Sequence, residues 1–149
     1  GGSFGGYSAA WQLVQFPDLY AAGAVVVGMT DLQSMFRETI QQFRSGFLST
    51  HLGTPEENPD LYEQRSPVTH AENVDAPLLL VHGENDPRVP VSQARLMRDR
   101  LAELGHEIGT AGTVEYHELG DSGHWAASDG VPESLAAVDD FLDRRLYPR

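Results

Sequence analysis

Gly1-Gly2-Ser3-Phe4-Gly5-Gly6-Tyr7 opens the chain, and the reading of this heptapeptide governs everything downstream. It contains Gly-x-Ser-x-Gly, the pattern of a nucleophile elbow. Such a strand-to-helix turn is so tight that the serine backbone is strained and its hydroxyl projects outward. Residues two before and two after the serine must be small, because a Cβ there would strike the adjoining strand or helix. Gly1 and Gly5 satisfy that requirement. An elbow also needs a strand in front of it, and that strand is expected to lie outside these residues. A Gly-rich serine loop is equally compatible with a flexible tail, so the rest of the chain has to decide.

With 149 residues, 40% hydrophobic and 21% charged, the chain suits a single structural unit, 1–149, with a packed core. Ten basic against 22 acidic residues leave a formal charge of −12. Phosphate backbones and anionic lipid surfaces would be repelled, so nucleic-acid and membrane partners are disfavoured. The acidity itself reads first as a solvated surface. With no cysteine, disulfides, thiolate zinc sites and cysteine nucleophiles are excluded, and the composition fits a cytoplasmic protein. The longest weakly polar run, Ala21 to Met29, is far shorter than the ~20 residues a spanning helix needs. The absence of an initiator Met and of a leader-like stretch suggests an excised piece.

Periodicity places the elements. Tyr7 to Phe16 reads as a helix stopped by Pro17. Ala21 to Met29 is a short, continuously apolar run, as expected of a strand buried on both faces of a parallel sheet. Asp31 to Leu48 carries Leu32, Met35, Phe36, Ile40, Phe43 and Phe47 at helical steps. Phe36, Phe43 and Phe47 are apolar enough to line a pocket, but core packing is the favoured role. His51 to His70 is rich in Pro, Glu and Asn and reads as irregular, with a short helix at Pro59–Gln64. Ala76–His82 is a second buried strand and Val91–Leu104 an amphipathic helix closed by Gly105. Thr113–Leu119 is a third strand, and Pro132–Leu146 a terminal helix with Pro in its first turn. Alternation of this kind specifies an α/β layered sheet.

A serine hydroxyl is a weak nucleophile near neutral pH, so it needs a general base, which in turn needs an orienting carboxylate. On sheets that carry an elbow these follow in the order Ser, acid, His, each in a loop at the carboxyl end of a strand. Asp86 fits the acid: it follows the second strand in His82-Gly83-Glu84-Asn85-Asp86-Pro87-Arg88-Val89-Pro90, where two prolines stiffen the loop. The alternative is a plain Asp-Pro turn ahead of a helix. Glu84 competes but lies nearer the strand. His124 follows the third strand in Gly120-Asp121-Ser122-Gly123-His124-Trp125. His82 and His117 lie in or at the ends of strands, where core hydrogen bonding is the expected role; His51, His70 and His106 do not match the triad order. A metal reading fails for want of HExxH or any completed ligand set. Phosphate binding at Gly1–Gly6 lacks the Walker lysine. No cofactor is implied.

Three stretches together give a resemblance: the elbow with its second glycine and tyrosine, Ser66-Pro67-Val68-Thr69-His70 leading through Ala76-Pro77 to the Asp86 loop with Val89-Pro90 and Gln93, and Gly123-His124. The chain resembles the C-terminal half of the catalytic domain of the prolyl oligopeptidase family of serine peptidases, in its acylaminoacyl-peptidase and dipeptidyl-aminopeptidase branches. The resemblance spans nearly the whole chain. It implies an α/β-hydrolase fold, a mostly parallel sheet flanked by helices, of which the N-terminal strands are missing here. Carried over by position, Ser3 is the nucleophile, Asp86 the orienting acid and His124 the general base. The Phe4 N–H supplies one oxyanion donor and an upstream tyrosine loop the second. Partners implied are short peptide substrates and, for the full-length protein, a homo-oligomer. Trp125 departs from the family, where a small residue often follows the catalytic histidine. A preceding β-propeller, which restricts entry in the family, is not among these residues. A carboxylesterase on the same fold and an inactive hydrolase half that only packs against a partner remain alternatives. The isolated 149-residue chain is expected to be poorly soluble or inactive.

Overall fold

A computed structural model describes residues 1–124 and 132–147. The elements run α1 (Phe4–Gln15), β1 (Gly23–Val26), α2 (Leu32–Glu38), α3 (Gln41–Phe43), a π-helical turn (Arg44–Leu48), α4 (Ser49–Leu52), α5 (Pro59–Gln64), a 3-10 segment (Pro67–Asn73), β2 (Leu78–Gly83), α6 (Ser92–Glu103), β3 (Val114–Leu119) and α7 (Pro132–Leu146). The strands form one sheet in the order β1-β2-β3, parallel throughout, with Val25 opposite Leu80 and Leu80 opposite Tyr116. Gly2 pairs in parallel with Val26 on the free side of β1, so the residues leading into the elbow already run as a strand beside it.

The central strand explains the layering. Every residue of β2 is buried, and its alternating side chains enter two different cores. Leu78 and Leu80 pack with Ala10, Leu13 and Val14 of α1 and Met97 and Leu101 of α6. Leu79 and Val81 face the other way, onto Phe141 of α7. A third cluster of Met29, Leu32, Met35, Leu48, Tyr62 and Val89 lies beyond the carboxyl end of β1. Helix α6 ends in a Schellman motif: Gly105, at φ +93, donates to the Ala102 carbonyl, and the His106 N–H donates to that of Leu101, as Gly at C′ permits. Among the described residues no helix is long and apolar enough to cross a membrane.

The expected helix over Asp31–Leu48 is broken instead at Thr39 and Ile40. Both residues adopt extended backbone there, with ψ of 162° and 148°. At this break Thr39 Oγ1 donates to the Arg88 carbonyl at 2.5 Å, which ties the end of α2 to the Asp86 loop. His51 and Leu52, expected to begin the irregular stretch, instead close α4 (Ser49–Leu52), while α5 matches its expected bounds. The strand expected over Ala21–Met29 shortens to Gly23–Val26. Val27 leaves the regular strand with φ 45°, a backbone that β-branched residues rarely adopt. Even so, its N–H donates to the Val81 carbonyl at 2.8 Å.

Candidate active site

The parallel sheet fixes where chemistry can gather, because all its strands deliver their following loops to one edge. Ser3 leaves its pairing beside β1, the Asp86 loop leaves β2 after Gly83, and His124 follows β3 after Leu119. Ser3 has φ 54° and ψ −119°, the strained conformation expected of an elbow. Its N–H donates to the Val26 carbonyl at 2.9 Å, and helix α1 begins at the next residue. The Phe4 N–H is thus the first of that helix, one of the donors that no carbonyl of its own helix can reach.

The three candidate residues meet. Ser3 Oγ lies 2.9 Å from His124 Nε2, and His124 Nδ1 lies 2.7 Å from Asp86 Oδ2. The second carboxylate oxygen, Oδ1, accepts the N–H groups of Arg88 and Val89 at 2.9 Å each. An acceptor-only carboxylate at Nδ1 selects the tautomer with its proton there, which leaves Nε2 free to accept from the serine. Asp86 is 5% exposed and the His124 side chain 12%, so the contact between them is largely shielded from water. Glu84 is exposed, and its N–H joins the Leu119 carbonyl at 3.0 Å.

Several supporting residues escaped the sequence reading. A Cβ on Gly83 would stand 2.3 Å from the Ser122 carbonyl oxygen, so glycine is what lets the His124 loop cross the end of β2. Asn85 ties the same loops together, its N–H donating to Ser122 at 3.0 Å and its amide to Gly120 at 3.2 Å. Gly5 departs from the expectation for the second small position. A Cβ on Gly1 would collide with the Gly5 carbonyl oxygen at 2.3 Å, but apart from chain neighbours and the backbone of its own helix no described atom lies within 4 Å of one on Gly5. The close approach falls on Gly6 instead.

His82 is buried as expected, and its Nε2 donates to the Val89 carbonyl at 2.7 Å. Burial pushes its imidazole below the ordinary histidine range, against the opposing pull of the Val89 bond and the nearby Asp86 carboxylate. His117, in contrast, has a 44% exposed side chain; it lies on the solvent side of β3 and takes no core role. Trp125 lies outside the described residues.

Beside the serine, a cavity of about 440 Å³ is lined by Phe4, Tyr7, Met29, Leu32, Phe47 and Leu52, with His51 and Arg65 at its polar margin. Of the phenylalanines expected in the core, Phe36 packs edge-on against Tyr62 at 5.8 Å and Phe43 stacks on Phe47 at 4.9 Å. Phe47 itself turns to the cavity. The signal for Met29 and Leu32 was their place just past the carboxyl end of β1, where ligand contacts of parallel sheets concentrate.

A parallel sheet layered by helices, with a serine elbow, an acid and a histidine on successive strand-end loops, defines an α/β-hydrolase. Residues 1–148 match the family model of the prolyl oligopeptidase family, and the chain belongs to that family. It is 34% identical over 154 aligned positions to dipeptidyl aminopeptidase BIII of Pseudoxanthomonas mexicana, covering all of this chain and 22% of that protein. Esterase LipQ of Mycobacterium tuberculosis is 35% identical over 89 residues, 58% of this chain and 20% of the esterase. Among solved structures, the uncomplexed acylaminoacyl peptidase of Pyrococcus horikoshii superposes with a TM-score of 0.79 at 28% identity, over 98% of this chain and 23% of that one. The chain therefore spans about a fifth of the length of the relatives it matches.

Proposed function

We propose that Ser3, His124 and Asp86 form the catalytic triad of a serine peptidase that cleaves short peptides through an acyl-enzyme. The observation that carries this reading is the continuous relay from Ser3 Oγ to His124 Nε2 at 2.9 Å and from His124 Nδ1 to Asp86 Oδ2 at 2.7 Å. His124 Nε2 takes the hydroxyl proton as Oγ attacks the scissile carbonyl carbon. The oxyanion that forms is met by the Phe4 N–H. The imidazolium then protonates the departing amine, the C–N bond breaks, and the acyl group stays on Ser3. Water, deprotonated by the same imidazole, releases the acid. Asp86 holds the ring and stabilises its positive charge. The apolar cavity next to Phe4 suits the side chain of the residue whose carbonyl is attacked.

A second donor from an upstream loop completes the oxyanion hole in this reading. Lack of one donor typically lowers the rate by about 10²–10³, so residues 1–149 alone are expected to turn over poorly. Substantial peptidase turnover by them would sink that expectation.

Ester hydrolysis uses the same groups, and the similarity to an esterase over 58% of the chain keeps a carboxylesterase as the second reading. Aminoacyl-p-nitroanilides against p-nitrophenyl esters separate the two in the protein that carries this chain. A fluorophosphonate probe tests both at once: labelling is expected, and is expected to vanish in Ser3→Ala. A protein that the probe does not label is not a serine hydrolase.

A further inference from the structure

Met29 and Leu32 form one wall of the cavity beside Ser3, and the turn between them hangs from side chains that come from far along the chain. The N–H groups of Thr30 and Asp31 both donate to Gln93 Oε1, at 2.9 Å each. The next N–H, of Leu32, donates to Ser66 Oγ at 2.8 Å. Gln93 Nε2 donates to Ser34 Oγ at 2.8 Å, and the Gln93 carbonyl accepts from Thr30 Oγ1 at 2.5 Å. Thr30, Ser34, Ser66 and Gln93 are all buried, Gln93 completely. Gln93 stands in the first turn of α6, a few residues after Asp86. The acid loop is bound to the same body a second time, through Thr39 Oγ1 and the Arg88 carbonyl.

A buried amide whose oxygen and nitrogen are both engaged is a rigid link, because any displacement leaves N–H groups unpaired away from water. We propose that Gln93 is a positioning residue: its side-chain amide fixes the Met29–Leu32 wall relative to the Asp86 loop, and so sets the fit of a large apolar side chain on the residue being cleaved. This rests on the serine-hydrolase reading above. Gln93 makes no hydrogen bond to Ser3, Asp86 or His124. Its influence therefore falls on side-chain binding rather than on chemistry at the carbonyl, and only for side chains long enough to reach the wall.

The test uses p-nitroanilides and matching p-nitrophenyl esters with Phe or Ala at the reacting residue, hydrolysed by the protein that carries this chain. Gln93→Met keeps the length and removes both amide atoms. It is expected to raise KM for the Phe substrate about tenfold, leaving kcat and the KM for Ala unchanged. Gln93→Glu keeps an oxygen for the Thr30 and Asp31 N–H groups and is expected to recover most of that loss. If Gln93→Met does not fold, Ser34→Ala takes its place. It removes the acceptor of the amide nitrogen together with the weaker donation from Ser34 Oγ to the Asp31 carbonyl at 3.2 Å, and an increase of about threefold confined to the Phe substrate is expected. A loss equal for Phe and Ala, or no loss in Gln93→Met or Ser34→Ala, overturns the proposal while leaving the hydrolase reading intact. Failure of the unmutated protein to hydrolyse either substrate class, or turnover that survives Ser3→Ala, overturns the hydrolase reading and this proposal with it.

Discussion

Gly6 and Gly28 meet backbone to backbone: a Cβ on Gly6 would stand 2.8 Å from Gly28 Cα and 2.9 Å from the Val26 carbonyl oxygen, and one on Gly28 would stand 2.8 Å from the Gly6 carbonyl carbon. This contact presses the first turn of α1 against the exit of β1 and so sets the height of Ser3 above the sheet edge. Because the obstacles are backbone atoms, they cannot rotate aside. Gly6→Ala is expected to cost about 1–3 kcal/mol and to slow fluorophosphonate labelling of Ser3. Gly5→Ala makes the opposite case. It sits in a helix, and beyond its chain neighbours and that helix's own backbone no described atom lies within 4 Å of its Cβ, so it is expected to add about 0.5–1 kcal/mol. Thermal melting of the two variants side by side checks the contrast.

Asp86 does two jobs with its two oxygens, and substitutions can separate them. Oδ2 meets His124, while Oδ1 caps the N–H groups of Arg88 and Val89. Asp86→Asn keeps an oxygen for the two N–H groups but turns an amide NH2 toward His124 Nδ1, which forces the ring proton onto Nε2. Turnover is expected to fall by about 10⁴ with little change in melting temperature. Asp86→Ala loses the cap as well and is expected to lose stability of about 1–2 kcal/mol on top of activity. Equal activity in wild type and Asp86→Asn would remove Asp86 from the relay.

The sheet, its order along the chain and the strand-end placement of Ser3, Asp86 and His124 were legible because each follows from local pattern. Continuous apolar runs mark buried parallel strands, and the loop after each run is where a parallel sheet must place its reactive groups. What could not be read depends on bonds between distant segments. At the break, the Thr39 hydroxyl reaches Arg88, 49 positions away, and no helical periodicity carries that contact. The same holds for Gly6, whose need to be small is set by Gly28 in another element. Gln93 and Ser66 stood out within the Val-Pro-x-x-Gln and Ser-Pro segments. Their task of holding the turn after β1 shows only when the chain is folded. His117 was misplaced because alternation alone does not say which face of an edge strand is covered.

His82 ties stability to pH near neutrality. Burial holds its imidazole below the ordinary range, so between the unfolded value near 6.5 and the lower native one the unfolded chain binds a proton that the native state refuses. Stability is therefore full above about pH 6.5 and falls as the pH drops toward the native value. In His82→Gln the amide can still donate to the Val89 carbonyl, but that proton is gone. Its unfolding free energy, measured by urea titration between about pH 5 and 7.5, is expected to vary less with pH than that of wild type. An identical slope would show that His82 binds its proton equally well in the native and unfolded states.

Glu115 governs a more acidic range. It is 1% exposed, and Arg144 grips both its oxygens at 2.8 Å while Arg145 reaches one at 3.3 Å, joining β3 to α7. Burial alone would raise its carboxyl, but the hydrogen bonds and charge of Arg144, then of Arg145, outweigh it and bring the group below the ordinary glutamate range. With the native value depressed, the pair's contribution is complete above the unfolded value of about 4.3 and is lost as the pH falls through the native one. Glu115→Gln is expected to flatten the acid limb of the stability curve below about pH 4.5. Glu115→Ala leaves two guanidinium groups facing an emptied site. Breaking a fully buried pair costs about 3–5 kcal/mol, and the Arg144 side chain is 34% exposed, so a loss of about 2 kcal/mol is expected here. Because the bond joins the start of β3 to the last turn of α7, at the end of the sheet opposite the Ser3 elbow, fluorophosphonate labelling of the folded fraction is expected to stay at the wild-type rate.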